Sequence, residues 1–145
     1  MPDSLEDAII LACTAHRRQV DKGGAPYILH PLRVMLAVSG DERRIAAVLH
    51  DVVEDCGIDP ATIAARFGDA VAQAVVALSC GEGEDYDAFI ERCARDPIAR
   101  DVKRADIADN LDLSRLPTIT PRDHERIARY RRALDRLDAG TAEGR

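Results

Sequence analysis

Ile45-Ala46-Ala47-Val48-Leu49-His50-Asp51-Val52-Val53-Glu54-Asp55 decides how this chain is read. A five-residue apolar run ends abruptly on an imidazole and a carboxylate, and two more carboxylates follow within a turn. Read as a helix, from about Asp41 to Val53 or Glu54 and stopping before Gly57, the i to i+4 spacing sets Glu54 under His50 and Asp55 under Asp51. Four polar groups then converge where an apolar helix leaves the core. A solvated acidic face does not usually open with a histidine set among valines and leucines, so the stretch predicts a binding site.

The same period runs through the rest of the chain. Apolar residues recur near every 3.6 positions and no segment alternates in twos, which predicts an all-α fold, a single bundle of about seven to eight helices. Its expected extent is residues 1–137, with 138–145 a frayed tail. The first helix opens on Asp3 or Ser4 with a capping-box pattern and runs to about Lys22, before Gly23-Gly24-Ala25-Pro26. Tyr27-Ile28-Leu29 reads as a short extended link, and Pro31 as the first residue of a second helix with His30 at or before its cap. Asp59-Pro60, Asp69, Asp96-Pro97 and Thr120-Pro121-Arg122-Asp123 mark later helix starts. The helix from Pro97 is expected to continue to about Leu113.

Composition narrows the function. The 145 residues carry 20 Lys and Arg against 26 Asp and Glu, a net charge of −6, which disfavours a general affinity for nucleic-acid backbone. Aromatics make up only 3% with no Trp, so stacking platforms for single strands are not expected. A bound cation reverses the sign locally, so an anionic small molecule stays within reach as a ligand. Cys13, Cys56, Cys80 and Cys93 form no C-x-x-C pair, so a structural zinc knuckle or redox motif is not indicated. With no signal-type segment and no apolar run of membrane-spanning length, no membrane partner is expected, and the expected location is the cytoplasm.

A second anomaly lies near Ala105. The inward stripe Ile98, Val102, Ala105 continues into Asp106, Asp109 and Asn110, polar residues on one helix face. A buried carboxylate needs a partner: either Asp106 pairs with a Lys or Arg, or a cation neutralises it. Together with His30, His50 and Asp51 it makes a set of two imidazoles and two carboxylates, suited to Mn, Fe, Co or Zn. His16, on an apolar face, reads as a hydrogen-bonded core histidine and His124 as a surface one. His30 alone fits a helix cap equally well, and Lys22 alone an ordinary surface lysine.

Taken jointly, the motifs resemble the HD-domain phosphohydrolases, and within them the hydrolases of guanosine polyphosphate alarmones. Ala15-His16-Arg17-Arg18-Gln19 through Lys22 and Gly24-Ala25-Pro26-Tyr27-Ile28-Leu29-His30-Pro31 form one matching block. Leu49 to Asp55 with Ile63 and Phe67-Gly68 form the next, and Val102-Lys103-Arg104-Ala105-Asp106 with Asn110-Leu111 the last. The resemblance implies metal ligands at His30, His50, Asp51 and Asp106, with Mn2+ as the usual ion, although another divalent ion would suit the same set. It implies catalytic roles for Glu54 and Asp55 in orienting water and handling protons. Lys22 and Asn110 match nucleotide-contacting positions, and Arg17 and Arg18 lie on the approach. The implied reaction removes the 3′-pyrophosphate from ppGpp or pppGpp, and with no synthetase segment following, the chain is expected to be hydrolase-only. One departure is Asp21, where the family usually has an arginine that packs on guanine; an acid cannot make that contact. Asp109 is likewise not the usual family residue. Alternatives are therefore an adenosine alarmone, a nucleoside monophosphate or NADPH as substrate, or a non-catalytic nucleotide-sensing module.

Overall fold

Short polar side chains start five of the nine described α-helices in the computed structural model, which describes residues 3–143. Ser4 and Asp7 close a reciprocal capping box on α1 (Leu5–Ala15). Asp59 accepts the Ala61 amide ahead of α5 (Pro60–Phe67), and Asp85 that of Ala88 ahead of α7 (Tyr86–Arg95). Asp96 accepts two amides at the start of α8 (Pro97–Asn110), and Thr120 exchanges hydrogen bonds with Asp123 at the start of α9 (Pro121–Glu143). Each such cap is worth about 1 kcal/mol. Between them lie α2 (Leu29–Ala37), α3 (Asp41–Leu49), α4 (Val52–Cys56) and α6 (Asp69–Ala77). Among the described residues there is no strand, so the all-α expectation holds, with nine α-helices and one 3-10 turn (Leu113–Arg115).

The centre of the bundle is α3, which packs against α1, α2, α6 and α8. Ala46, Ala47, Val48 and Leu49 are all fully buried, because a helix surrounded on every side must be apolar on every side. Farther out, α9 lies on α7 and α8 and buries Ala133 and Leu137.

Several boundaries differ from the sequence expectation. The helix expected to run unbroken from Asp41 to Val53 or Glu54 is interrupted at His50 and Asp51. The Ala47 carbonyl, which a continuous helix would pair with the amide of Asp51, instead takes the His50 amide at 3.3 Å and the His50 Nδ1 at 2.6 Å. Side-chain competition for a backbone acceptor ends the ladder there. Similarly, α1 stops at Ala15 rather than near Lys22. Residues 16–28 form a loop pinned by a Val20–Pro26 bridge, with Arg18 in the left-handed region at φ 72°. The loop is tightened by Asp21, whose carboxylate accepts the amides of Gly23 and Ala25, each at 2.9 Å. Tyr27 to Leu29 forms a turn rather than an extended link, and α2 starts at Leu29, so His30 and Pro31 sit inside its first turn. Asp69 is the first residue of α6 without a capping bond, and α8 ends at Asn110 rather than Leu113. The last helix continues through residues 138–143, which the sequence reading assigned to a frayed tail; residues 144 and 145 lie outside the described residues.

Leu137 is fully buried where α9 meets the bundle. Leu137→Ala should lower unfolding stability by about 2–5 kcal/mol, the range for a buried leucine truncation, read from the urea midpoint at unchanged slope. A shift under half a kcal/mol would mean that α9 is not seated there.

Candidate metal centre

Three packed segments deliver polar groups to one point. From the first turn of α2 comes His30, from the α3–α4 break His50 and Asp51, and from the last turn and a half of α8 Asp106. The coordinating atoms of His30, His50 and Asp106 lie within 4.8 Å of one another, and all three residues are buried. His30 Nε2 is 2.8 Å from Asp106 Oδ1. His50 Nε2 is 3.0 Å from Asp51 Oδ2 and 3.5 Å from Asp106 Oδ1. Of the four residues expected as ligands, His30, His50 and Asp106 cluster tightly, while Asp51 meets them through His50 and groups instead with Glu54 and Asp55.

The hydrogen on His50 can be assigned from its surroundings. Nδ1 faces only the Ala47 carbonyl oxygen, an acceptor, so Nδ1 carries the proton. Nε2 then points at two carboxylate oxygens, is buried, and has no hydrogen-bond partner. A lone pair facing two anions needs a positive charge between them. Burial opposes a proton there, yet Asp51 and Asp106 outweigh it and hold the His50 pKa well above the ordinary imidazole value. A divalent cation answers the same demand with two charges instead of one. Around this point Asp51, Glu54, Asp55, Asp106 and Asp109 outnumber the cations Arg33 and Lys103. The buried donor set of two imidazole nitrogens and a carboxylate oxygen from His30, His50 and Asp106, with Asp51 beside His50, is of the kind that could hold a borderline-hard divalent ion.

Asp106 also has the partner that a purely structural carboxylate would have. Its Oδ2 lies 2.9 Å from Lys103 Nζ, and that ammonium sits 4.8 Å from the centre of the Phe89 ring. Burial disfavours the Lys103 charge, but Asp106 reverses the balance and raises its pKa. In turn, burial works against the Asp106 charge, and Lys103 with the two histidines holds its carboxyl well below the usual range. The lysine occupies one oxygen and leaves the other to the imidazoles, so ion pair and ligand are compatible roles.

Of the expected catalytic pair, Glu54 and Asp55 are exposed, each with an oxygen within 4.8 Å of an Asp51 oxygen. The expected i to i+4 relation between Asp51 and Asp55 is kept, with the Asp55 amide 2.9 Å from the Asp51 carbonyl, while the helix break separates Glu54 from the α3 helix that ends at His50. Glu54 Oε1 instead accepts the Cys80 amide at 2.6 Å. Burial, Asp51 and Glu54 together push the Asp55 carboxyl above its ordinary value. Lys22 and Asn110 line a cavity of about 320 Å³ that opens beside His30, with Arg126, Ile127 and Tyr130 of α9 on its far wall. Asn110 Nδ2 also donates to Asp106 Oδ1 at 3.2 Å. Arg17 and Arg18 are exposed and are not among the residues lining that cavity. His16 is buried with Nδ1 2.8 Å from Gln19 Oε1, the core histidine expected of it.

Sequence reasoning assigned no role to four residues at the site. Tyr27 makes a short hydrogen bond to Asp51 Oδ2; burial and that carboxylate push its hydroxyl up, so it stays protonated and donates. Lys103, three residues before Asp106, was readable as its partner from helical spacing. Asp109 lies 2.6 Å from His30 Nδ1, and Arg33 Nε lies 2.7 Å from Asp109 Oδ1. Those contacts join α2 to α8, and no local pattern signals them.

Comparison with known proteins points the same way. Residues 8–82 match the family model for the HD domain. A probable GTP pyrophosphokinase of Mycobacterium leprae is 35% identical over 138 residues, covering 86% of this chain and 17% of the relative. A guanosine-3′,5′-bis(diphosphate) 3′-pyrophosphohydrolase of Aquifex aeolicus is 33% identical over 121 residues, covering 75% of this chain and 17% of that protein. The chain thus spans about a sixth of the length of these relatives. A solved structure described as "A metazoan ortholog of SpoT hydrolyzes ppGpp and plays a role in starvation responses" superposes with a TM-score of 0.78 at 22% identity. It covers 94% of this chain and 87% of that one, and the likeness is one of fold.

A cation that relieves this cluster should stabilise the folded state. At a hundredfold excess over its dissociation constant, Mn2+ adds about 2.7 kcal/mol, a rise in melting temperature on the order of 5–10 °C that EDTA reverses. An unchanged melting curve across millimolar Mn2+, Zn2+ and Co2+ would count against the centre.

Proposed function

The chain belongs to the HD domain family, and from that premise we propose that it is a Mn2+-dependent hydrolase removing the 3′-pyrophosphate from a guanosine polyphosphate alarmone, ppGpp or pppGpp, with release of pyrophosphate and GDP or GTP. The observation that carries this reading is the buried cluster of His30, His50 and Asp106, with Asp51 against His50, whose member His30 lines a cavity of about 320 Å³. The names of the relatives add the substrate class. When bound by those four side chains, a divalent ion supplies Lewis acidity and a water that ionises near neutral pH.

The remaining work falls to the chain's own groups. Asp55, its carboxyl raised by burial and by Asp51 and Glu54, is the better placed of the two acids to take a proton from water and return it. Glu54, tied to the Cys80 amide, holds the approach of that water. The Tyr27 hydroxyl fixes one Asp51 oxygen, and Lys103 does the same for one oxygen of Asp106. Lys22 and Asn110 face the cavity and hold the nucleotide. Among the described residues no helix is long and apolar enough to cross a membrane, and a cytoplasmic place of action accords with a nucleotide substrate.

A second reading keeps the chemistry and changes the base. Asp21 lines the cavity, but its carboxylate is committed to the amides of Gly23 and Ala25, so it neither stacks on a purine nor offers a positive charge. An adenosine alarmone, a nucleoside monophosphate or NADPH then becomes a competitor for the site. A non-catalytic sensor is disfavoured by Glu54 and Asp55, which a simple binding pocket would not need beside Asp51.

Product identification decides between these readings. The protein with Mn2+ should release pyrophosphate from ppGpp faster than it cleaves any other nucleotide in a panel, and Asp106→Ala should lose both turnover and Mn2+ uptake. Asp55→Asn should keep Mn2+ and lose about 10²–10⁴-fold in kcat, the usual worth of a general acid or base. Preference for another nucleotide, with Asp21→Arg moving it toward ppGpp, would transfer the assignment to the second reading. Tight nucleotide binding with no product would reject hydrolysis altogether.

A further inference from the structure

Both nitrogens of His30 face carboxylates: Nε2 lies 2.8 Å from Asp106 Oδ1 and Nδ1 lies 2.6 Å from Asp109 Oδ2. A neutral imidazole has one hydrogen to give, so only one of these can be a conventional donor contact. Asp109 is the nearer acceptor, and Oδ1 of Asp106 already takes the Asn110 amide at 3.2 Å. Arg33, on the same helix as His30, grips Asp109 with two bonds, Nε to Oδ1 at 2.7 Å and Nη2 to Oδ2 at 3.1 Å. That fork keeps the carboxylate in one plane and in place, which a single bond from a lysine would not do.

We infer that Asp109, clamped by Arg33, is a positioning residue that puts the His30 proton on Nδ1 and turns the Nε2 lone pair toward Asp106 and the proposed ion. The inference rests on the metal-centre reading above and gives it a further residue. The two imidazoles are then set by different devices. His50 Nδ1 faces a neutral backbone carbonyl, while His30 Nδ1 faces a carboxylate. The device belongs to the tertiary structure, since α2 brings both the ring and the arginine while α8 brings the carboxylate.

The test is Mn2+ affinity, followed by electron paramagnetic resonance of the free ion, in the full chain and in Asp109→Asn and Asp109→Ala. Losing an outer carboxylate of this kind weakens metal binding by about 10–100-fold. The expected order is wild type, then Asn at about tenfold weaker, then Ala weakest, with all three showing the same helical circular dichroism. Asparagine has the shape and one acceptor oxygen but no charge, so a packing role alone would leave that variant as tight as wild type, and such a result overturns the inference while sparing the metal centre. If Asp109→Ala does not fold, the asparagine variant decides by itself. A wild-type protein that takes up no Mn2+ overturns both this inference and the function it rests on.

Discussion

The site depends on one hydrogen bond, from His50 Nδ1 to the carbonyl of Ala47 at 2.6 Å. It satisfies a carbonyl deep in the bundle where water cannot, and it takes that carbonyl out of the helical ladder. The chain turns at His50 and Asp51 and resumes as α4, which Gly57 ends in the left-handed region at φ 69°. The turn sends Asp51 toward His50 Nε2 and carries Glu54 and Asp55 to the exposed rim. The bond also decides the tautomer, so the backbone that shapes the break prepares the ligand atom. Had α3 run on, the Ala47 carbonyl would have bonded to the amide of Asp51, and Nδ1 would lack its acceptor.

Such an arrangement is costly in a protein without a compensating charge. Removing one partner from a buried charged pair typically destabilises by about 3–5 kcal/mol, and Asp106 is engaged with Lys103 and both histidines at once. Lys103 meets part of the demand, and its position over the Phe89 ring gives the ammonium an apolar seat with a favourable face. The lysine alone does not complete the balance, because it touches Oδ2 while Oδ1 faces the imidazoles. Two imidazoles and a second carboxylate, Asp51, gathered around Oδ1 are what separate this cluster from an ordinary buried ion pair.

How much of this was legible in the sequence follows from the range of each interaction. Caps at Ser4, Asp59 and Asp96 act within three residues, and the local pattern was enough to find them. His30, His50, Asp51 and Asp106 could be gathered because each interrupts an apolar stripe with a group that burial penalises. The break after Leu49 was not legible, since Val52 and Val53 continue the apolar pattern and only the side chain of His50 diverts it. The end of α1 was missed for a similar reason: His16 still fits the stripe, but it caps the helix and the chain turns through Arg18. Arg33 was beyond reach, because an exposed-looking arginine acquires its role only when α2 meets α8.

The two ends of the proposed site are built from different material, and this bears on specificity. Ligand atoms come from α2, the end of α3 and α8, helices packed directly on one another around a close-packed centre. The nucleotide end is formed by the loop through Asp21 and Lys22 and by one face of α9. Its shape is set by a few local bonds, chiefly the two amides held by Asp21. A substitution there can change which base is accepted without moving the ligands, whereas a substitution in α3 disturbs the core and the chemistry together. Asp21 in place of a stacking arginine therefore bears on which nucleotide the proposed site accepts and not on the proposed ligands, because Asp21 lines the cavity while His50, Asp51 and Asp106 do not.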